Sequence, residues 1–134
     1  MKVKMHELKG VSDALAEALK THEVHESDLF LAAAGHPKER SALATKLGIA
    51  EKDVLELANR ADLARIKGIG KVYADLLENA GVDSVMELRN RKPENLHQKL
   101  SDVATEHGVK RIPRLDEVQD WVAQAKTLER AVHH

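Results

Sequence analysis

Apolar residues recur along this chain with helical spacing. Val54, Leu57, Ala58 and Ala61 fall at i, i+3, i+4 and i+7, and Leu115, Val118, Val122 and Ala125 follow nearly the same rule. Leu96, Leu100 and Val103 repeat it in between. Each set lines one face of a helix. Period-two alternation with β-branched enrichment is missing, so the pattern predicts no sheet. The expected helices span 12–21, 27–34, 37–47, 51–64, 71–80, 84–91, 93–107 and 115–129, with a short helical stretch before residue 8.

The punctuation agrees. Gly35, Gly48, Gly81 and Gly108 each follow a periodic segment, where a left-handed residue closes a helix. Pro37 and Pro93 suit a first helical turn, where proline forfeits no needed hydrogen bond. Ser12, Ser27 and Ser84 are the expected N-caps.

The same punctuation occurs twice. Leu8-Lys9-Gly10-Val11-Ser12 matches Ile66-Lys67-Gly68-Ile69-Gly70 at an offset of 58 positions. Ala16 then meets Ala74, Leu19 meets Leu77, Val24 meets Val82 and, after a one-residue gap, Leu31 meets Leu88. Pro37 and Pro93 follow at similar points, and Lys46-Leu47-Gly48-Ile49 parallels Glu106-His107-Gly108-Val109. The simplest account is a duplication of about 60 residues.

The stretch from Leu63 to Val82 carries the most chemistry. Gly68 and Gly70 flank a single apolar residue, Ile69, with one helix before and another after. Glycine lets the chain reverse tightly there, Ile69 would point inward, and small Ala74 would let two helices approach. A turn of this kind leaves the first amides of the second helix clustered and unpaired. With the positive end of the helix dipole they form an anion site. Lys67 and Lys71 flank it. A nucleic-acid phosphate suits this chemistry, and such contact reads no bases.

These residues, with Leu77, Gly81-Val82 and Leu88, resemble the helix-hairpin-helix motif of DNA repair glycosylases, polymerases, ligases, recombinases and the RNA polymerase alpha C-terminal domain. The second half, through Pro93-Glu94-Asn95-Leu96 and the Trp121 helix, also looks like an uncharacterised bacterial domain family with such repeats. The resemblance implies an all-α fold of two tandem helix-hairpin-helix units, a pseudo-duplicated, SAM-like bundle sharing one core. Residues 1–63 would form a degenerate first unit, 64–130 the second, and 131–134 a tail. It also implies that the amides around Gly68, Ile69 and Gly70 meet phosphate oxygens, with Lys67 and Lys71 assisting. Hairpins of this family sometimes hold a monovalent cation through backbone carbonyls.

The first copy departs from the pattern. Ser12 replaces the second glycine, Asp13 stands where Lys71 stands, and Glu17, Glu23, Glu26 and Asp28 make its surroundings negative. It is expected to serve packing.

Charge narrows the partners. The chain has 21 basic and 22 acidic residues among 134, so no global field draws it to nucleic acid or acidic membranes. Residues 64–134 carry 12 basic and 11 acidic groups against 9 and 11 in the first 63, a bias too slight for a basic stripe. Arg89-Asn90-Arg91-Lys92 with Lys99, and Lys110-Arg111 with Arg114, are the densest basic clusters. Either could extend a phosphate face or form ordinary mixed-charge surface.

The absence of cysteine excludes disulfides, thiolate metal sites and cysteine nucleophiles. His22 and His25 lack the carboxylate spacing of a metal motif, so no metal and no cofactor is expected. His133-His134 reads as a tail, Trp121 as a core residue and Tyr73 as packing at the helix junction. The start is charged and no run approaches the roughly 18 apolar residues of a membrane span, so a cytoplasmic protein without membrane contact is expected. No catalytic constellation appears, so the chain is expected not to be an enzyme. Two readings of function stand at this point. One is a module binding DNA or RNA backbone through the hairpin. The other is an interaction module that binds a protein partner or a second copy of the chain.

Overall fold

The computed structural model describes residues 2–134. A 3-10 turn, Met5–Glu7, leads into α1 (Asp13–Thr21), α2 (Ser27–Ala34), α3 (Pro37–Leu47) and α4 (Glu51–Leu63). After a connection over residues 64–70 come α5 (Lys71–Asn79), α6 (Val85–Leu88), α7 (Pro93–Glu106) and α8 (Leu115–Ala125). The fold is all-α. Among the described residues the only β pairing is one isolated bridge between Lys4 and Glu26.

The local signals explain most boundaries. Ser12 and Ser84 cap α1 and α6, their hydroxyls accepting from the amides of Leu15 and Glu87 at 3.2 Å each. Pro37 and Pro93 open α3 and α7. Gly48, Gly81 and Gly108 all have positive φ.

Three expectations are corrected. Ser27 is the first residue of α2 rather than its cap. Its hydroxyl is buried and accepts from the Val3 amide at 2.8 Å, tying the N-terminal segment to the helix. Gly35 is right-handed, with φ −67°. A Cβ there would lie 2.9 Å from the carbonyl oxygen of Ala131, so a close backbone approach, not a left-handed turn, requires glycine. Helices α6 and α8 are also shorter than the periodicity suggests. Past Leu88, Arg91 turns back to the Gly81 carbonyl, and past Ala125 the Thr127 hydroxyl closes the end of α8 on the Gln124 carbonyl.

Part of the packing pattern recurs along the chain. In the first set α1 packs on α3, α2 on α3 and α4, and α3 on α4; in the second α5 packs on α7, α6 on α8 and α7 on α8, with no comparably close pairing of α6 and α7. The buried apolar residues form two clusters rather than the single continuous core expected. One runs from Met5 to Ala64 and the other from Leu63 to Ala125. Successive residues at the end of α4 face different clusters, because neighbouring helical positions point about 100° apart. The boundary is bridged by polar contacts. Arg60 reaches Glu78 at 3.0 Å, and Lys9 reaches Asp75 at 3.1 Å.

The segment 131–134 returns to the first set of helices through Val132, while His134 is exposed. Val132 is 2% exposed and belongs to the first cluster, although it follows the last helix of the second set.

Candidate functional site

The hairpin is a tight turn over Ile66–Ile69. The Ile69 amide donates to the Ile66 carbonyl at 3.1 Å, and Gly68, the third residue of the turn, has φ +101°. That sign at that place is what a type II turn demands. A side chain on Gly68 would also meet the indole: its Cβ would stand 3.0 Å from Trp121 Nε1. Gly70 has neither constraint, with φ −108° and nothing within 4 Å of an added Cβ.

Two α8 residues hold the turn from below. Trp121 is buried at 2% exposure and its ring lies 5.1 Å from that of Tyr73. Gln124 takes both ends of Lys67: its Oε1 accepts from the Lys67 amide at 2.9 Å and its Nε2 donates to the Lys67 carbonyl at 3.0 Å. Asp120 fixes the same Nε2 at 2.8 Å. From α4, Asp62 accepts from Arg65 on one oxygen and from the Val85 amide on the other, each at 2.8 Å. Asp62 is 1% exposed, so one carboxylate secures both the base of the turn and the start of α6.

The five residues singled out from the sequence therefore fall into two groups. Ile69 is buried and its amide is spent inside the turn, while the Lys67 amide is spent on Gln124 of α8. Gly68, Gly70, Lys67 and Lys71 are exposed. The outward donors sit slightly later than the motif suggests. The first helical bond of α5 runs from the Ala74 amide to the Gly70 carbonyl, and among the described residues the amides of Gly70, Lys71, Val72 and Tyr73 have no acceptor. Gly70 is the N-cap and brings no side chain to satisfy them. Neither Lys67 nor Lys71 has an ion-pair partner among the described residues.

The equivalent place in the first set differs at each of these points. Gly10 keeps the positive φ, at +93°. Ser12, however, fills the N-cap with its own hydroxyl, and Lys9 is paired with Asp75. A half-open cavity of about 330 Å³ beside Gly10 and Ser12 is lined by Asp53 and Glu56 as well as Arg60.

The basic clusters separate. Arg111 is carried to the hairpin, its guanidinium 5.4 Å from the centre of the Tyr73 ring. Arg91 is bound to Glu87 and Gly81, and Arg114 to Asp116 and Glu117. Asp116 and Arg114 each favour the other's charged form, so the Asp116 carboxyl titrates below and the Arg114 guanidinium above its ordinary value. Gln124 and Asp62 carried no signal in the sequence, because nothing local shows that α8 runs beneath residues 66–68 or that the end of α4 meets the start of α6. His22 ends α1, and the His25 carbonyl accepts from the Met5 amide at 2.8 Å. Among the described residues no group of three or more His, Cys, Asp or Glu side chains is placed to hold a metal. No helix among the described residues is long and apolar enough to cross a membrane.

Comparison with known proteins adds a family and no activity. No curated protein and no solved structure matches the chain. A family model described as a domain of unknown function (DUF4332) matches residues 9–128, spanning both sets of helices, and the chain belongs to that family.

Proposed function

We propose that this chain is a duplicated helix-hairpin-helix module, non-enzymatic, that binds nucleic-acid backbone without base recognition. The units would be residues 1–63 and 64–130. The recurring helix pairings and the matching positive φ of Gly10 and Gly68 support the duplication. The binding site would be Lys67, Gly68, Gly70 and Lys71, with Ile69 as the buried peg and the amides of Gly70, Lys71 and Val72 as the donors. The observation that carries this reading is the contrast between two helix starts. In α1 a serine hydroxyl caps the helix and the neighbouring lysine is paired; in α5 the cap is glycine and both lysines are unpaired. Such a start suits a phosphate oxygen, through the amides and the helix dipole together. Arg111, over the ring of Tyr73 in the first turn of α5, would add a further cation. A cytoplasmic location accords with this role.

The interaction reading also has an observation in its favour. Val72, Ile112 and Leu115 are 51, 42 and 37% exposed, large apolar groups on α5, on the connection before α8 and at the start of α8. A protein partner or a second copy of the chain would cover them.

A duplex-DNA gel shift separates the two readings. Binding at low salt that weakens steeply at moderate salt, and is abolished by Gly70→Glu, is the expected result. The open space at Gly70 lets that variant fold. No shift at low salt refutes the nucleic-acid reading. Size-exclusion chromatography with light scattering then tests self-association.

A further inference from the structure

The C-terminal segment lies against the α2–α3 turn through contacts that a positive charge would oppose. The His133 amide donates to the Gly35 carbonyl at 2.7 Å, and Val132 enters the first apolar cluster. Arg40 is 5% exposed and is met by carbonyls alone: Nη1 donates to Ala34 at 3.0 Å and Gly35 at 3.1 Å, and Nη2 to His133 at 2.6 Å. Beside it the His36 and His133 rings are stacked, with centroids 4.2 Å apart and planes 12° apart.

We propose that residues 131–134 form a pH-sensitive strap, docked on the α2–α3 turn while His133 is neutral and released when that ring takes up a proton. A proton on His133 places a cation against the stacked His36 ring and beside the Arg40 guanidinium, where the Ala34, Gly35 and His133 carbonyls already accept from Arg40. The charged groups acting on His133 are His36 and Arg40 from the turn and α3, and Arg130 and His134 from the segment itself, all basic. Farther off, Glu39 acts on Arg40, and Glu51 and Lys52 of α4 line the hollow on the other side of Arg40.

Burial and then these cations hold the His133 imidazole below its ordinary value. The sign follows. A histidine whose value falls on folding contributes stability that is present above its unfolded pKa of about 6.5 and lost as the pH drops through the lower folded value. Docking is therefore complete at neutral pH and fails in mild acid. The strap links the two sets of helices, since it follows α8 and Val132 enters the first cluster. Release would withdraw Val132 from that cluster and remove one link between the sets, leaving the Arg60–Glu78 and Lys9–Asp75 pairs in place.

Amide hydrogen exchange at pH 7.5 and 5.0, corrected for intrinsic rates, tests this on the whole chain. The expected result is a fall in protection at the position 133 amide of about tenfold for each unit by which the histidine value is displaced. Amides of α4 and α8 should stay protected. His133→Phe keeps a flat ring on His36 without its own titration and should retain most of the protection in acid. Equal protection of the wild type at both pH values overturns the proposal. So does loss of protection throughout the molecule, or the same loss in His133→Phe. Should that variant fail to fold, NMR titration of the wild-type rings decides. His133 should titrate below the ordinary imidazole value; titration at that value overturns the idea.

Discussion

Gln124 grips Lys67 by both its amide and its carbonyl across 57 positions, so that a side chain of α8 completes the backbone of the hairpin. The turn that presents the outward amides of α5 is thus held by a helix from the far end of the chain. Replacing Gln124 by Leu removes two hydrogen bonds to Lys67 and one to Asp120, each worth about 0.5–1.5 kcal/mol and toward the low end at an exposed site. A loss of about 1–2 kcal/mol in urea unfolding is expected, with faster amide exchange at residues 67–70. Unchanged exchange there would show that the grip does not set the turn.

The two glycines of the hairpin should respond unequally. Gly68→Ala meets both a positive φ and the Trp121 edge at 3.0 Å, so a loss of about 1–3 kcal/mol is expected, with altered fluorescence from the only tryptophan. Gly70→Ala has room and an accessible backbone, and should stay within about 0.5 kcal/mol of the wild type. Equal losses at the two sites would mean that the indole contact and the strain at Gly68 carry no weight.

Asp62 should be one of the most sensitive polar positions. Removing its carboxylate strands the buried Val85 amide and takes from Arg65 an acceptor held at 2.8 Å. Breaking a buried, hydrogen-bonded charge pair costs about 3–5 kcal/mol, so Asp62→Ala should lower the melting temperature by more than 10 °C. A shift of only a few degrees would place the junction of α4 and α6 elsewhere.

Glu78 sets a dependence on pH. Burial raises its carboxyl above the ordinary range, and Glu56, Asp75 and Asp83 add to this, while Arg60 opposes them. An acid raised on folding contributes most below its unfolded pKa, and the contribution fades as the pH rises through the folded value. The wild type should therefore gain on Glu78→Gln between pH 7 and pH 4. Thermal melts of the two proteins at both pH values measure this, and the opposite trend would mean that the Arg60 pair at 3.0 Å outweighs burial.

If the hairpin binds nucleic acid, its salt dependence counts the cations involved. Three phosphate contacts, from Lys67, Lys71 and Arg111, give a slope of about −2.7 in log K against log salt on duplex DNA. Lys71→Ala and Arg111→Ala should each reduce that slope by about 1, whatever the DNA sequence. A slope that Arg111→Ala leaves unchanged would remove the Tyr73 side from the interface.

The hairpin shows where legibility from the sequence stops. Its place was readable because Gly68, Ile69 and Gly70 interrupt two periodic segments, and caps and periodicity act within a turn or two of the residues that cause them. Which amides face outward was not, because the Ile69 amide is taken by Ile66 and the Lys67 amide by Gln124. The same limit applies to Lys9 and Lys67, each of which precedes a glycine of positive φ. One is paired with Asp75 and the other is not, and no local pattern separates them.

The sequence by itself determined the all-helical class, most helix boundaries, a reversal near residues 68–70 and the burial of Trp121, all consequences of spacing and of single-residue backbone preference. The tertiary structure alone decided that the core divides at Leu63 and Ala64, that Asp62 and Gln124 brace the hairpin, and that Val132 returns to the first cluster. Those outcomes depend on which surfaces meet after the helices have formed, with partners as far apart as Arg40 and His133, separated by 93 positions. Periodicity tells each helix which face to bury, but not against which neighbour.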